Sequence, residues 1–199
     1  MWNTSIGEPS VTRVGRNRKG RQGGEGQHNS ASGKESDVVL IHDSLGHTIT
    51  EGIMSKEGLT TSKILGYTLE EVSDVVAQID HEPKALVLHS GTNNVKKGDS
   101  VNTIINRYAT IFREVERNLP NTTIIYSAIA PREDDDRKQR VVEQVNDAIR
   151  TEFKREVVYV SNYDIWGDGY KRPDGVHLTK RGTSMLARNI KKGITQALL

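Results

Sequence analysis

From Asp37 onward the chain alternates short apolar runs with longer stretches in which apolar residues recur every three or four positions. The short runs are Val38–Ile41, Ser62–Leu65, Ala85–Leu88, Thr122–Ser127 and Val157–Val160, most of them continuously apolar and rich in β-branched residues. Strands covered on both faces read this way, because neither side of the pleat meets water. The intervening stretches carry a helical period. Leu69, Val72, Val76 and Ile79 form one, with Thr68 and Glu71 placed as a capping box at its start. Val101, Ile104, Tyr108, Ile111, Val115 and Leu119 form the next, which Pro120 stops. Val141, Val145, Ile149 and Phe153 form a third, and Met185, Leu186, Ile190 and Ile194 form the last, after Thr179. Repeated strand–helix units predict an α/β fold, a three-layer α/β/α sandwich around a central five-stranded parallel sheet. In such sheets functional residues gather where the carboxyl ends of strands meet loops.

Residues 1–36 break the pattern. They are rich in Gly, Ser, Asn, Gln and Arg, with isolated apolar residues only. A segment of this kind buries too little surface to offset the entropy of ordering it, so it is expected to be a disordered tail or linker, with the folded domain over residues 37–199. Charge marks the same boundary. The tail holds Arg13, Arg16, Arg18, Lys19, Arg21 and Lys34 against Glu8, Glu25 and Glu35, whereas the remainder has 22 basic and 23 acidic side chains. The net charge of +2 therefore arises from a basic tail on a nearly neutral body. A tail of this charge is expected to make a weak nucleic-acid contact around Arg16 to Arg21, the alternative being a solvated linker.

The 199 residues include no cysteine, which excludes disulfides and thiolate metal sites. No apolar run approaches the length of a membrane span, and residues 1–30 lack the apolar stretch of a signal peptide. A soluble, intracellular (cytoplasmic) protein is the expectation.

Three polar clusters follow strand ends. His42-Asp43-Ser44-Leu45-Gly46-His47 comes directly after the first strand, where a serine is held by the strand and exposed by the loop. His89-Ser90-Gly91-Thr92-Asn93-Asn94 follows the third. There glycine allows close backbone approach, and an asparagine amide can donate to a developing oxyanion. Pro173-Asp174-Gly175-Val176-His177 precedes the last helix. An Asp three residues ahead of a His can accept from Nδ1 across a tight turn, leaving Nε2 free as a base. Taken alone, the serine and the Asp-x-x-His read more readily as a turn or helix cap, and the Gly-x-Asn has a common turn as its alternative. Asp134, Asp135 and Asp136 form an acidic run, read as a solvated loop or helix start in preference to a metal site.

The order of the three clusters resembles the blocks of the SGNH/GDSL hydrolase superfamily. Asp43-Ser44-Leu45 stands for the GDSL block, Gly91-Thr92-Asn93-Asn94 for the Gly-x-Asn-Asp block, and Asp174-Gly175-Val176-His177 for the last. Gly66, after the second strand, falls where the family keeps its oxyanion glycine. Two departures stand out: His42 replaces the first Gly of GDSL, and Asn94 replaces the Asp that usually follows the oxyanion Asn. The resemblance covers about residues 37–195, and is nearest to esterase domains of some LINE-type retrotransposon proteins and to small acetylhydrolases. It implies a flavodoxin-like fold, no cofactor or metal, and a small ester substrate cleaved through an acyl-enzyme. It further implies Ser44 as nucleophile, His177 as base and Asp174 as its partner. The oxyanion would be received by the N–H groups of Ser44 and Gly66 and the Asn93 amide, with His42 and His47 lining the pocket. The competing expectation is a catalytically weak binding module of the same fold that contacts lipid or nucleic acid.

Overall fold

The computed structural model describes residues 35–167 and 169–199. The disordered, nucleic-acid-binding segment expected over residues 1–36 lies outside them, apart from its last two residues. One of these, Ser36, is buried, with its Oγ 2.8 Å from Ser62 Oγ and its N–H donating to His81 Nε2 at 3.3 Å. The folded body therefore includes Ser36, and His81 joins its first residues to the sheet.

Five strands form one parallel sheet: β1 (Val38–His42), β2 (Thr61–Leu65), β3 (Ala85–His89), β4 (Thr123–Ser127) and β5 (Val157–Val160). Their spatial order is β2-β1-β3-β4-β5, with Val38 in register with both Thr61 and Ala85. This is the flavodoxin-like doubly wound order, whose ligand-binding crevice opens where the winding reverses, between β1 and β3. All five residues of β1 and of β3 are buried, as central strands must be. The edge strand β2 differs, since Ser62, Lys63 and Ile64 are only half-buried and Leu65 is exposed.

Helices cover both faces. Val39, Ile41, Leu86, Leu88, Ile124 and Tyr126 point to one side, under α1 (Leu69–Ala77), the short α2 (Thr92–Lys97), α3 (Val101–Asn118) and α4 (Asp136–Glu152). Val38, Leu40, Val87 and Ile125 point to the other, under α5 (Lys180–Leu198) and a 3₁₀ segment over Glu51–Glu57. Alternate residues of each strand thus feed two separate apolar layers, which is what makes both faces of the sheet dry. At the start of α1, Thr68 Oγ1 accepts from Glu71 N–H at 3.4 Å, but the Glu71 carboxylate reaches past Thr68 to the N–H of Tyr67 at 2.9 Å. In α4 the fully buried apolar residues are Val142, Val145 and Ile149, and the expected Val141 and Phe153 pack half-buried against the same layer. No helix among the described residues is long and apolar enough to cross a membrane.

Candidate active site

The β1 strand ends at His42, and the chain turns at once into a single 3₁₀ turn over Ser44–Gly46. Asp43 caps that turn, its Oδ1 accepting from Leu45 N–H at 2.9 Å, while its own N–H donates to His89 O of β3 at 2.9 Å. The loop is thereby pinned to both central strands. Ser44 is the first residue of the turn, a position whose N–H has no acceptor within a helix. Its half-buried side chain lines a cleft of about 250 Å³ together with Thr92, Asn93, Asp174, Val176 and His177.

Asp43 is 1% exposed, and burial pushes its carboxyl up to about 7 against the stabilising N–H groups of Leu45 and Thr92. His42, also buried, has Nδ1 2.7 Å from the Asp43 carbonyl, which fixes the proton on that nitrogen, and burial lowers its affinity for a second one. This corrects an expectation: neither His42 nor His47 lines the cleft. The His42 ring packs beneath the Ser44–Gly46 turn, and His47 is exposed with its ring 6.5 Å from that of His42.

The second strand end supplies Asn93. Gly91 caps α2 at φ 115°, a left-handed conformation, and a Cβ there would stand 2.7 Å from Tyr108 Oη. Glycine is required on both counts. The two asparagines that follow diverge. Asn93 is half-buried on the cleft, and one of its amide hydrogens goes to Tyr67 O at 2.9 Å, which leaves the second for a ligand. Asn94 is fully buried and faces away: its Oδ1 accepts from Leu69 N–H at 3.0 Å, and its Nδ2 donates to Glu70 at 3.0 Å and Asp99 at 2.9 Å. Gly66 departs from its expected role. Its N–H donates to His42 O at 2.9 Å as the last rung of the β1–β2 ladder, so it is not a free oxyanion donor.

The third cluster is a closed turn. Lys171 and Leu178 bridge in antiparallel fashion, Arg172 N–H donates to His177 O at 2.8 Å, and Gly175 N–H donates to Arg172 O at 2.9 Å. Gly175 has φ 67° and packs against the Glu133 backbone, where a Cβ would meet the carbonyl carbon at 2.7 Å. Inside the turn, Asp174 Oδ1 accepts from the N–H groups of Val176 (2.9 Å) and His177 (2.8 Å), and Oδ2 lies 2.7 Å from His177 Nδ1. The Val176 N–H, followed by the His177 contacts, holds the Asp174 carboxyl down at about 2. An ionised carboxylate at that distance fixes the proton on Nδ1 and leaves Nε2 as an acceptor. Below the turn, the Lys171 amine donates to Val176 O at 3.4 Å, and burial lowers it to about 8. No hydrogen bond joins Ser44 to His177 among the described residues; bonds of this kind commonly tighten only when substrate is bound.

Sequence reasoning missed the remaining lining of the cleft: Lys96, Arg132, Asp134 and Lys138. Arg132 is 2% exposed and forks onto Asp134, Nε to Oδ1 at 2.9 Å and Nη2 to Oδ2 at 2.7 Å. Asp135 caps α4 by accepting from Arg137 and Lys138 N–H. Of the acidic run, then, one member pairs with an arginine, the next is a helix cap and Asp136 opens the helix. These residues lie far from Ser44 in sequence and show no local pattern, so nothing short of the fold brings them together.

The profile of the GDSL-like lipase/acylhydrolase family matches residues 40–184. Comparison with curated proteins gives no match. Solved structures share the fold. A Streptococcus pneumonia protein whose name refers to platelet activating factor is 23% identical, with TM-score 0.67 over 81% of this chain and 85% of its own. A carbohydrate esterase family 3 protein from Talaromyces cellulolyticus is 18% identical, with TM-score 0.67 over 81% and 97%. A GDSL-like lipase from Bacteroides thetaiotaomicron is 19% identical, with TM-score 0.63 over 81% and 88%. With the profile spanning well over half of the sequence, the chain belongs to the GDSL-like lipase/acylhydrolase family and is a carboxylic ester hydrolase.

Proposed function

We propose that the protein cleaves small carboxylic esters, with acetyl or short acyl groups, through an acyl-enzyme on Ser44. The observation that carries this reading is the 2.7 Å contact between Asp174 Oδ2 and His177 Nδ1, on a turn that shares one small cleft with Ser44 and Asn93. Ser44 Oγ attacks the ester carbonyl as His177 Nε2 takes its proton, and Asp174 stabilises the imidazolium that forms. The carbonyl oxygen gains negative charge and is met by the Ser44 N–H and the unspent Asn93 amide hydrogen. The C–O bond to the alcohol then breaks, and His177 returns the proton to the departing oxygen. A water molecule, deprotonated by the same Nε2, attacks the acyl carbon. The acid leaves, and the serine is restored.

The size and lining of the cleft support a short acyl group. About 250 Å³ is room for a small acyl group, and Val176 is the one aliphatic side chain among the described lining residues. Hydrolysis of p-nitrophenyl esters of increasing acyl length tests this: turnover should be greatest with acetyl or butyryl and fall for long chains. It should vanish in Ser44→Ala and drop in Asp174→Asn, which favours the wrong imidazole tautomer. Near-normal turnover by Ser44→Ala would refute the assignment.

A further inference from the structure

The cleft carries more positive charge than ester hydrolysis needs. Three cations, Lys96, Arg132 and Lys138, share it with two carboxylates, Asp134 and Asp174. Asp174 is committed to His177 and two N–H groups of its own turn. Arg132 and Asp134 are committed to each other in a two-bond fork, and the arginine's Nη1 donates to Thr92 O at 3.2 Å. Lys138 Nζ lies 3.7 Å from Asp134 Oδ2, a carboxylate that Arg132 has already neutralised. Lys96 is exposed and forms no ion pair with any described residue. Lys96 is thus unpaired among the described residues, and Lys138 shares with Arg132 the single charge of Asp134, so the lining of the cleft holds one more cation than carboxylates. The two lysines reach it from different elements, Lys96 from the last turn of α2 and Lys138 from the first turn of α4. Lys96 stands three residues after Asn93 on the same short helix, a spacing that puts the two side chains on neighbouring positions of one face.

We propose that Lys96 and Lys138 form a subsite for an anionic oxygen group, carboxylate or phosphate, borne by the ester substrate. The inference rests on the hydrolase reading above and names its substrate class: small esters with a negative charge near the scissile bond. A substrate seated between the two amines displaces water from them, and their attraction for an anion grows as the local dielectric falls.

Two matched pairs of esters test this. In the first the charge is on the acyl side, p-nitrophenyl hydrogen adipate against its methyl ester. In the second it is on the alcohol side, 2-(phosphonooxy)ethyl acetate against 2-ethoxyethyl acetate. In at least one pair the charged member should have a kcat/KM about tenfold higher, the worth of one charge-assisted hydrogen bond. That preference should shrink at about 0.5 M salt and in Lys96→Gln and Lys138→Gln, with the change mainly in KM. Equal or better turnover of the neutral member in both pairs overturns the subsite while leaving the hydrolase reading intact. So does an unchanged preference in both variants. An equal loss on charged and neutral esters would also overturn it, by assigning the amines to the oxyanion. Turnover of none of the four esters overturns the hydrolase reading and the subsite with it.

Discussion

Replacing Asn93 and Asn94 one at a time separates chemistry from architecture within two consecutive residues. Asn94 is fully buried, and its Oδ1 is the partner of the Leu69 N–H, the first of α1, itself 1% exposed. In Asn94→Ala that donor is left unsatisfied, which costs about 1–3 kcal/mol. The bond to Asp99, a carboxylate 22% exposed, adds a further part, whereas Glu70 is about half exposed and water replaces most of what it loses. A total of about 3 kcal/mol is expected, or a fall in Tm of about 6–12 °C for a domain of this size. Asn94→Asp, which restores the residue usual in the family, should also destabilise at neutral pH. It would set a third carboxylate within about 3 Å of Glu70 and Asp99, where Arg107 is the one cation paired with either and Lys97 acts from farther off. Asn93→Ala should behave in the opposite way. Its fold should hold, while kcat falls on the order of 10²–10³ with little change in KM, because the charge its amide meets develops only near the transition state. Thermal unfolding by circular dichroism and turnover of p-nitrophenyl acetate measure both. A larger kcat loss in Asn94→Ala at full folding, or a stable and fully active Asn93→Ala, would refute the reasoning.

Other consequences follow from charge and from the tail. Burial raises Asp43 from 3.8 to about 7, so its contribution to stability is complete below about pH 4 and is lost as pH rises through 7. Asp43→Asn keeps an acceptor for Leu45 without a charge to desolvate. The stability of the variant relative to the parent in urea unfolding should therefore climb between about pH 4 and 7 and level off above that, and parallel profiles would contradict this. Removal of residues 1–34 should leave ester turnover unchanged and abolish any salt-sensitive nucleic-acid binding. Binding that survives the deletion would place it on the folded body.

Sheet and site were legible in the sequence to different depths. The run Ala85–Leu88 falls on β3 because a strand covered on both faces has nowhere to place a polar residue, and the apolar run Val157–Val160 falls on β5 although that strand is an edge with Val158 and Tyr159 only half-buried. The same logic is weaker at β2, an edge strand, where Lys63 is free to lean out and donate to His47 O at 2.9 Å. Helix α2 was not legible as a helix. It has six residues and no apolar period, and it exists because Gly91 and Gly98 take left-handed conformations at its two ends. The Asp174–His177 spacing revealed a local geometry, since all its bonds close within one turn. Gly66 shows the limit of motif reasoning: its position in the chain is as expected, yet the direction of its N–H is set by pairing with β1. The lysines of the cleft lie further beyond reach, since Lys96 and Lys138 are 42 residues apart and meet only through the packing of α2 against α4.

The central claim is that Ser44 is an activated nucleophile. Incubation with a fluorophosphonate probe, followed by peptide mass spectrometry, tests it most directly, because only a serine served by a base reacts quickly. The account predicts one modified peptide carrying the adduct on Ser44, loss of ester turnover in step with labelling, and no adduct in Ser44→Ala or, at the same exposure time, in His177→Ala. An adduct on another residue, or an unlabelled protein that still hydrolyses esters, would contradict it.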